Sequence, residues 1–385
     1  MRYFKSIVKF LIVVLALVAL VLLGLWFFNA PNDLSKNSAS QKRLDGVEYV
    51  VDDIVFELID ASRKTPALGD YSGDDKRVLN GTIWFPDGET GEHPLIIYSH
   101  GFGGYRRDST YLVEYLAANG YVVAAVDFPL SYKDSPAGVP QLEDVVNQAG
   151  DVQQVIDYIL SMNSDSASVL HQRIDVNNIG AMGLSLGGLT TALASFHPDV
   201  KDDRIKAAVM MAPPLQMFSD KFFATNSMVK SLIISGSMDR VVPQKVHATE
   251  VQARHPQGWF LSFDKGTHLG FADIGNYIRW MENPDNLGCA FMNFMLSKID
   301  LPSQWDAVIP NTNGVLRKVE AATPCPNISG ESMNGLKQQW LTNIAIASFF
   351  DMHLRSGPVS QQATDFFTDK LLTENAEVTL TVPQQ

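Results

Sequence analysis

Cysteine is scarce in this 385-residue chain: only Cys289 and Cys325 are present. That count excludes a four-cysteine zinc site and a small fold built on several disulfides. Basic residues are also outnumbered, 30 Lys and Arg against 42 Asp and Glu, for a formal net charge of -12. No Lys/Arg block offsets this, so the surface repels polyanions and argues against nucleic acid as a partner. An HExxH pair, an EF-hand loop and a P-loop are all missing. The expected chemistry therefore calls for no metal or nucleotide. Disorder is excluded as well, since 46% of residues are hydrophobic and 19% charged, a packed globular balance.

What is present begins with a long apolar run. Nineteen residues from Phe10 to Phe28 carry no charged or strongly polar side chain. At about 1.5 Å per residue such a helix nearly spans a bilayer's hydrocarbon core. Arg2, Lys5 and Lys9 precede it, which keeps the short tail cytoplasmic and sends the rest across. A cleaved leader is the alternative, giving a secreted product. Its apolar core is usually shorter, and its cut follows small residues. Here the exit reads Trp26-Phe27-Phe28-Asn29-Ala30-Pro31, bulky and then proline, which favours an uncleaved anchor. Residues 1–30 are thus expected to be tail and signal anchor, 31–46 a polar linker, and 47–385 the globular domain.

Within that domain β-branched apolar runs alternate with helical patterns. Strands are expected at 79–85, 94–99, 121–127, 178–184, 205–211, 231–236 and 258–263, with an antiparallel edge strand in 47–60. The clearest helix is 141–160, where Leu142, Val145, Val146, Ala149, Val152, Ile156 and Ile159 share a face. Such alternation predicts an α/β fold with a mostly parallel sheet and helices on both faces. Ligands in these sheets sit beyond the carboxyl ends of the strands.

Polar chemistry collects at those ends. Gly183-Leu184-Ser185-Leu186-Gly187 lies between a strand and a helix, where a nucleophilic serine needs a tight turn with small flanking residues. A bare GxSxG arises by chance in roughly one chain in ten of this length, so its strand–turn–helix setting carries the argument. Asp239 follows the strand SLIISG; alone it reads as an ordinary turn or cap. His268 lies in a Gly-bounded loop after the last of these strands; alone it reads as a surface histidine. The order Ser185, Asp239, His268 is what makes a nucleophile, an orienting acid and a general base of them. His100-Gly101-Phe102-Gly103-Gly104 follows the strand PLIIYS, and the backbone N–H groups of Phe102 and Leu186 are the expected oxyanion donors.

These motifs (YSHGFGGYR at 98–106, YVVAAVD at 121–127, GLSLGG at 183–188, HLGFAD at 268–273) resemble the α/β-hydrolase superfamily over roughly residues 78–270 plus the C-terminal helix. The nearest likeness is to the platelet-activating-factor acetylhydrolase and dienelactone-hydrolase-like group, and to bacterial cutinase-type polyester hydrolases. The acetylhydrolase elbow has His and Phe where this chain has Leu184 and Leu186. Serine at 185 departs from the cysteine of true dienelactone hydrolases and from the aspartate of dehalogenases. The resemblance implies a cofactor-free serine esterase acting through an acyl-enzyme on lipid-like, short-acyl or polymeric esters. An acyltransferase or thioesterase differs only in the final acceptor. A binding protein on the same fold is expected to have lost a member of the Ser185, Asp239, His268 set, and all three are present.

Residues 271–330 exceed a minimal hydrolase. They hold Trp280, Met281, Phe291, Met292, Phe294, Met295 and Trp305 together with both cysteines. A second small core and a cap over an apolar pocket are both compatible with that composition. Cys289 and Cys325 are the only thiols and lie 36 positions apart in one segment expected to reach an oxidising compartment, so a disulfide is predicted between them. The alternative is two buried free thiols acting as small hydrophobes.

Overall fold

The computed structural model describes residues 2–88, 91–298, 309, 311–318 and 325–384. Helix α1 (Arg2–Phe28) is rich in Leu, Val, Ala and Phe and has no proline, and its stretch Ser6–Phe28 is long and apolar enough to cross a membrane, with no residue of its most apolar 18-residue window buried. The segment expected as a polar linker contains a helix, α2 (Ala39–Asp45). Ser38 caps it, accepting from Gln41 N–H at 3.0 Å, while the Glu374 carboxylate accepts from Ala39 and Ser40 N–H at 2.9 and 2.8 Å. Arg43 pairs with Asp351. The helix is polar because distant carboxylates, not apolar burial alone, hold it in place.

Nine strands form one sheet in the order β1-β2-β4-β3-β5-β6-β7-β8-β9. The strands are β1 (Val51–Asp60), β2 (Arg77–Pro86), β3 (His93–Ser99), β4 (Val122–Asp127), β5 (Ile174–Leu184), β6 (Ile205–Met211), β7 (Lys230–Gly236), β8 (Trp259–Phe263) and β9 (Val378–Thr381). Strands β3 to β8 run parallel; β1, β2 and β9 are antiparallel to their neighbours. Strand β9, which pairs with β8 after the last helices, has no counterpart among the expected strands.

Alternate residues of each central strand feed opposite faces, as the period of two requires. Leu95, Ile97, Ala124 and Ala181 pack under α4 (Val145–Ser164) and α5 (Leu186–Phe196). Ile96, Tyr98, Val123 and Met182 pack under α3 (Thr110–Ala118) and the helix Gly335–Leu354. That last helix is buried nearly all round, so it reads in sequence as more than the one apolar stripe a surface helix shows. On the first face, buried Arg77 of β2 bonds to Asp144 just before α4 and to Asp151 within it, at 3.1 and 2.6 Å.

The chain leaves β3 toward β4 on one side and returns to β5 on the other. The loop after β3 and the turn after β5 therefore open the crevice where such a sheet binds ligands.

Candidate active site

Ser185 sits between β5 and α5 with φ 57° and ψ -117°, a backbone state that a non-glycine residue holds only when its surroundings impose it. Its N–H donates to Met211 O at 2.8 Å. The flanking glycines leave no room for side chains. A Cβ on Gly183 would lie 2.2 Å from Gly187 O, and one on Gly187 would lie 1.9 Å from Ser99 O. The need for small residues is thus contact with the backbone of β3 and of the turn itself.

Asp239, three residues past β7, is fully buried. Its Oδ2 lies 2.8 Å from His268 Nδ1 and its Oδ1 accepts from Val242 N–H at 2.7 Å. Asp239 thereby accepts a hydrogen bond from Nδ1–H, which leaves the lone pair of neutral His268 on Nε2. Burial alone pushes the His268 pKa down; the charge and hydrogen bond of Asp239, helped by Asp285, outweigh it and hold the imidazole above its ordinary value. Ser185 and His268 line one cavity of about 680 Å³. Ser185 Oγ makes no hydrogen bond to His268 among the described contacts; bonds of this kind commonly tighten only when substrate is bound.

The loop after β3 is held from within. His100 Nδ1 lies 2.7 Å from Gly101 O, while Nε2 accepts from Phe128 N–H at 3.1 Å, so the Nδ1 tautomer is the one that serves both contacts. Gly103 N–H donates to Ser131 O at 2.9 Å. Neither the Phe102 nor the Leu186 N–H is used by another protein group among the described residues. Leu186 is the first residue of α5, where an N–H has no partner in its own helix. Asp108 packs so close to Gly104 that a Cβ there would sit 2.2 Å from its Oδ2, and Tyr98 donates to its other oxygen at 2.6 Å. Burial, with the charge of Asp273, pushes the Asp108 pKa up to about 7, against the hydrogen bond from Tyr98.

Asp285 escaped the sequence reading and is the best-connected carboxylate near the site. It is fully buried. It accepts from Arg240 and His268 N–H through Oδ2 at 3.0 and 2.9 Å, and from Leu269 N–H through Oδ1 at 2.9 Å. One side chain thus ties the loop of Asp239 to the loop of His268. Burial and the charge of Asp239 push its pKa up to about 6, partly offset by His268. Its only sequence signal was a position ahead of an apolar helical run. His247 also lines the cavity, kept neutral by burial with a pKa of about 4.

The residues after His268 enclose the cavity. Ile274 follows the His268 loop, and Leu287, Gly288, Phe291 and Met292 come from the helix Asp285–Leu296. Cys289 and Cys325 form a disulfide. With Val241, Val242 and Met292 they make a small apolar cluster beside the Asp239 loop, so this part of the segment has its own core and also walls the cavity. Trp305 lies outside the described residues. No group of His, Cys, Asp and Glu able to hold a metal occurs among the described residues.

Comparison with known proteins agrees with this architecture. The family described as PET hydrolase-like matches residues 66–293. Cutinase est1 of Thermobifida alba is 27% identical over 207 residues, 54% of this chain and 60% of the relative. Cutinase 2 of Thermobifida cellulosilytica is 28% identical over 213 residues, 52% of this chain and 72% of the relative. The match to est1 therefore spans under two thirds of that protein. A solved structure, ferulic acid esterase from Streptomyces cinnamoneus, superposes with a TM-score of 0.50 at 19% identity, covering 87% of this chain and 96% of its own, a likeness of fold. An α/β-hydrolase sheet, a serine elbow at its switch point and a family match over more than half its length make this chain a member of the PET hydrolase-like family.

Proposed function

We propose that the protein is a serine carboxylic ester hydrolase in which Ser185, His268 and Asp239 act as one unit. The observation that carries it is the 2.8 Å bond of Asp239 to His268, which lines the same apolar-walled cavity as Ser185 on its strained turn. His268 Nε2 takes the Ser185 proton as Oγ bonds to the acyl carbon. Asp239 stabilises the imidazolium that results. The carbonyl oxygen, now negative, faces the N–H groups of Phe102 and Leu186. Collapse expels the alcohol, which receives the proton from His268, and leaves an acyl-Ser185. A water deprotonated by His268 then bonds to the acyl carbon, and as the bond to Ser185 Oγ breaks His268 returns the proton to Oγ and the carboxylic acid leaves. The cavity walls of Phe102, Leu186, Ile274, Leu287, Phe291 and Met292 suit an apolar acyl or aromatic group. The cutinase relatives make polymeric esters one substrate class to include.

The same reading places α1 in a bilayer as a single-pass anchor with the hydrolase domain outside the cytoplasm, where the Cys289–Cys325 disulfide is stable. Mature protein recovered soluble with its first residue near Pro31 would show a cleaved leader instead.

The test is an ester panel of graded acyl length with a polyester included, run on the parent chain and on Ser185→Ala. The variant is expected to lose turnover and fluorophosphonate labelling while keeping its thermal melt. A folded Ser185→Ala that retains a substantial part of the ester hydrolysis would remove the assignment.

A further inference from the structure

Large apolar side chains stay exposed on the two helices that wall the cavity. Ile274, Leu287 and Phe291 line it, and Tyr277 and Phe294 stand on the same two helices, Ile274–Tyr277 and Asp285–Leu296. Their exposures run from 41% to 65%. Single exposed apolar residues are ordinary, but five on two helices that wall one cavity mark an interaction surface.

The structure also holds the end of α1 against this rim. Trp26 Nε1 donates to Asn276 O at 3.1 Å. Arg279 donates to Trp26 O from Nη2 at 2.8 Å and lies 4.0 Å from the centre of its ring. Asn334 Nδ2 donates to Asn29 O at 2.8 Å. Asn276 belongs to the short helix that carries Ile274 and Tyr277, and Arg279 follows two residues after its end. Trp26 stands in the last turn of the Ser6–Phe28 span, where an indole favours the level of the lipid headgroups. The rim is thus within one hydrogen bond of the chain at the depth where a spanning helix leaves the bilayer.

We propose that the occupant of this apolar rim is the bilayer spanned by α1. Tyr277, Phe294 and the exposed edges of Ile274, Leu287 and Phe291 rest in the outer leaflet. The substrate class is then a membrane-partitioned carboxylic ester with an apolar chain, which enters the cavity from lipid and leaves as acid and alcohol. The proposal rests on both the anchor and the ester-hydrolase readings, and the experiment separates all three.

The full chain is reconstituted in phosphatidylcholine vesicles with a single added cysteine at Tyr277, Phe294 or Val176, each carrying an environment-sensitive fluorophore. Val176 is exposed near the start of β5, away from the carboxyl ends of the strands that bear the cavity, and serves as control. Labels at Tyr277 and Phe294 are expected to shift to the blue and to be quenched by shallow doxyl lipid, the Val176 label neither. Hydrolysis of hexadecyl acetate dissolved in the vesicles is expected to fall at least about tenfold in the double variant Tyr277→Ser/Phe294→Ser, the factor that losing the burial of even one large side chain implies. Hydrolysis of water-soluble 4-nitrophenyl acetate by that variant should stay at the parental rate. Labels as exposed as the Val176 control, on chain that remains with the vesicles, would overturn the proposal and leave the anchor standing. Labels shielded but not quenched by lipid would point to a second protein copy on the rim and overturn it too. Chain released from the vesicles by carbonate would remove the anchor and the proposal together. If both esters survive while the labels are quenched, the catalytic reading fails and the lipid contact holds.

Discussion

At the scale of the residue, Ser185, Asp239 and His268 carry local signals that a sequence shows: a small-x-Ser-x-small turn, an Asp just past a buried strand, a Gly-bounded His. Asp285 carries only its position ahead of an apolar helical run, because its three N–H partners lie 16 to 45 positions away. It is a positioning residue, and its loss has a separable signature. Asp285→Asn keeps the volume but has one acceptor oxygen where three N–H groups now share two. We expect kcat to fall by about tenfold to a hundredfold through misplacement of His268. The acid side of the kcat/KM profile should also move to lower pH, because the Asp285 charge helps hold the His268 pKa up. A purely structural role would lower the melting temperature and leave that limb in place. In the proposed mechanism, His268 must be neutral to accept the serine proton. Since its pKa lies above the ordinary value of about 6.5, kcat/KM should rise with pH through a midpoint above that value. A profile flat from pH 4 to 9 would remove His268 as general base. Asp239→Asn, which presents the wrong tautomer, should lower kcat on the order of 10⁴-fold.

At the scale of the element, the elbow and the β2–α4 contact make opposite kinds of demand. Gly187 is required by steric contact: the Cβ of Gly187→Ala would overlap the Ser99 carbonyl, so β3 and α5 cannot both keep their places. Arg77 is required by charge. It is fully buried with Asp144 and Asp151, and Arg63 also donates to Asp151 at 2.7 Å. Removing one partner of such a cluster strands the others in a medium that cannot solvate them. Arg77→Met should destabilise the fold by about 3–5 kcal/mol, read by denaturant unfolding. The elements legible in advance were those with long periodic patterns, such as α4 and the central strands. Two that were not, α2 and β9, are seven and four residues long. Neither length holds enough of a period to stand out, and each exists through contacts with distant chain.

At the scale of the whole molecule, the disulfide joins the helix that walls the cavity to chain beside the Asp239 loop. Cys325 N–H donates to Arg240 O at 2.7 Å, and Arg240 Nε donates to Pro326 O at 2.9 Å. The bridge closes a span of 36 positions, for which loop entropy predicts roughly 3–4 kcal/mol of stabilisation. Cys289→Ser is expected to lose about that much, read by denaturant unfolding. Thiol titration of denatured, unreduced protein should find no free thiol, rising to two after reduction.

Sequence alone determined the alternating strands and helices, the apolar first helix, the strand–turn–helix around Ser185 and the chain order of Ser185, Asp239 and His268, because each is written in neighbouring residues or in a short period. The pairing of Cys289 with Cys325 followed from there being no other thiol. Only the tertiary structure decided that the chain reverses at β3, that β9 closes the sheet beside β8, that Asp285 clamps two loops, and that the end of α1 lies against the rim of the cavity. Each of these is a contact between residues far apart in the chain. Their local patterns are ordinary, and their meaning comes from the partner that folding brings to them.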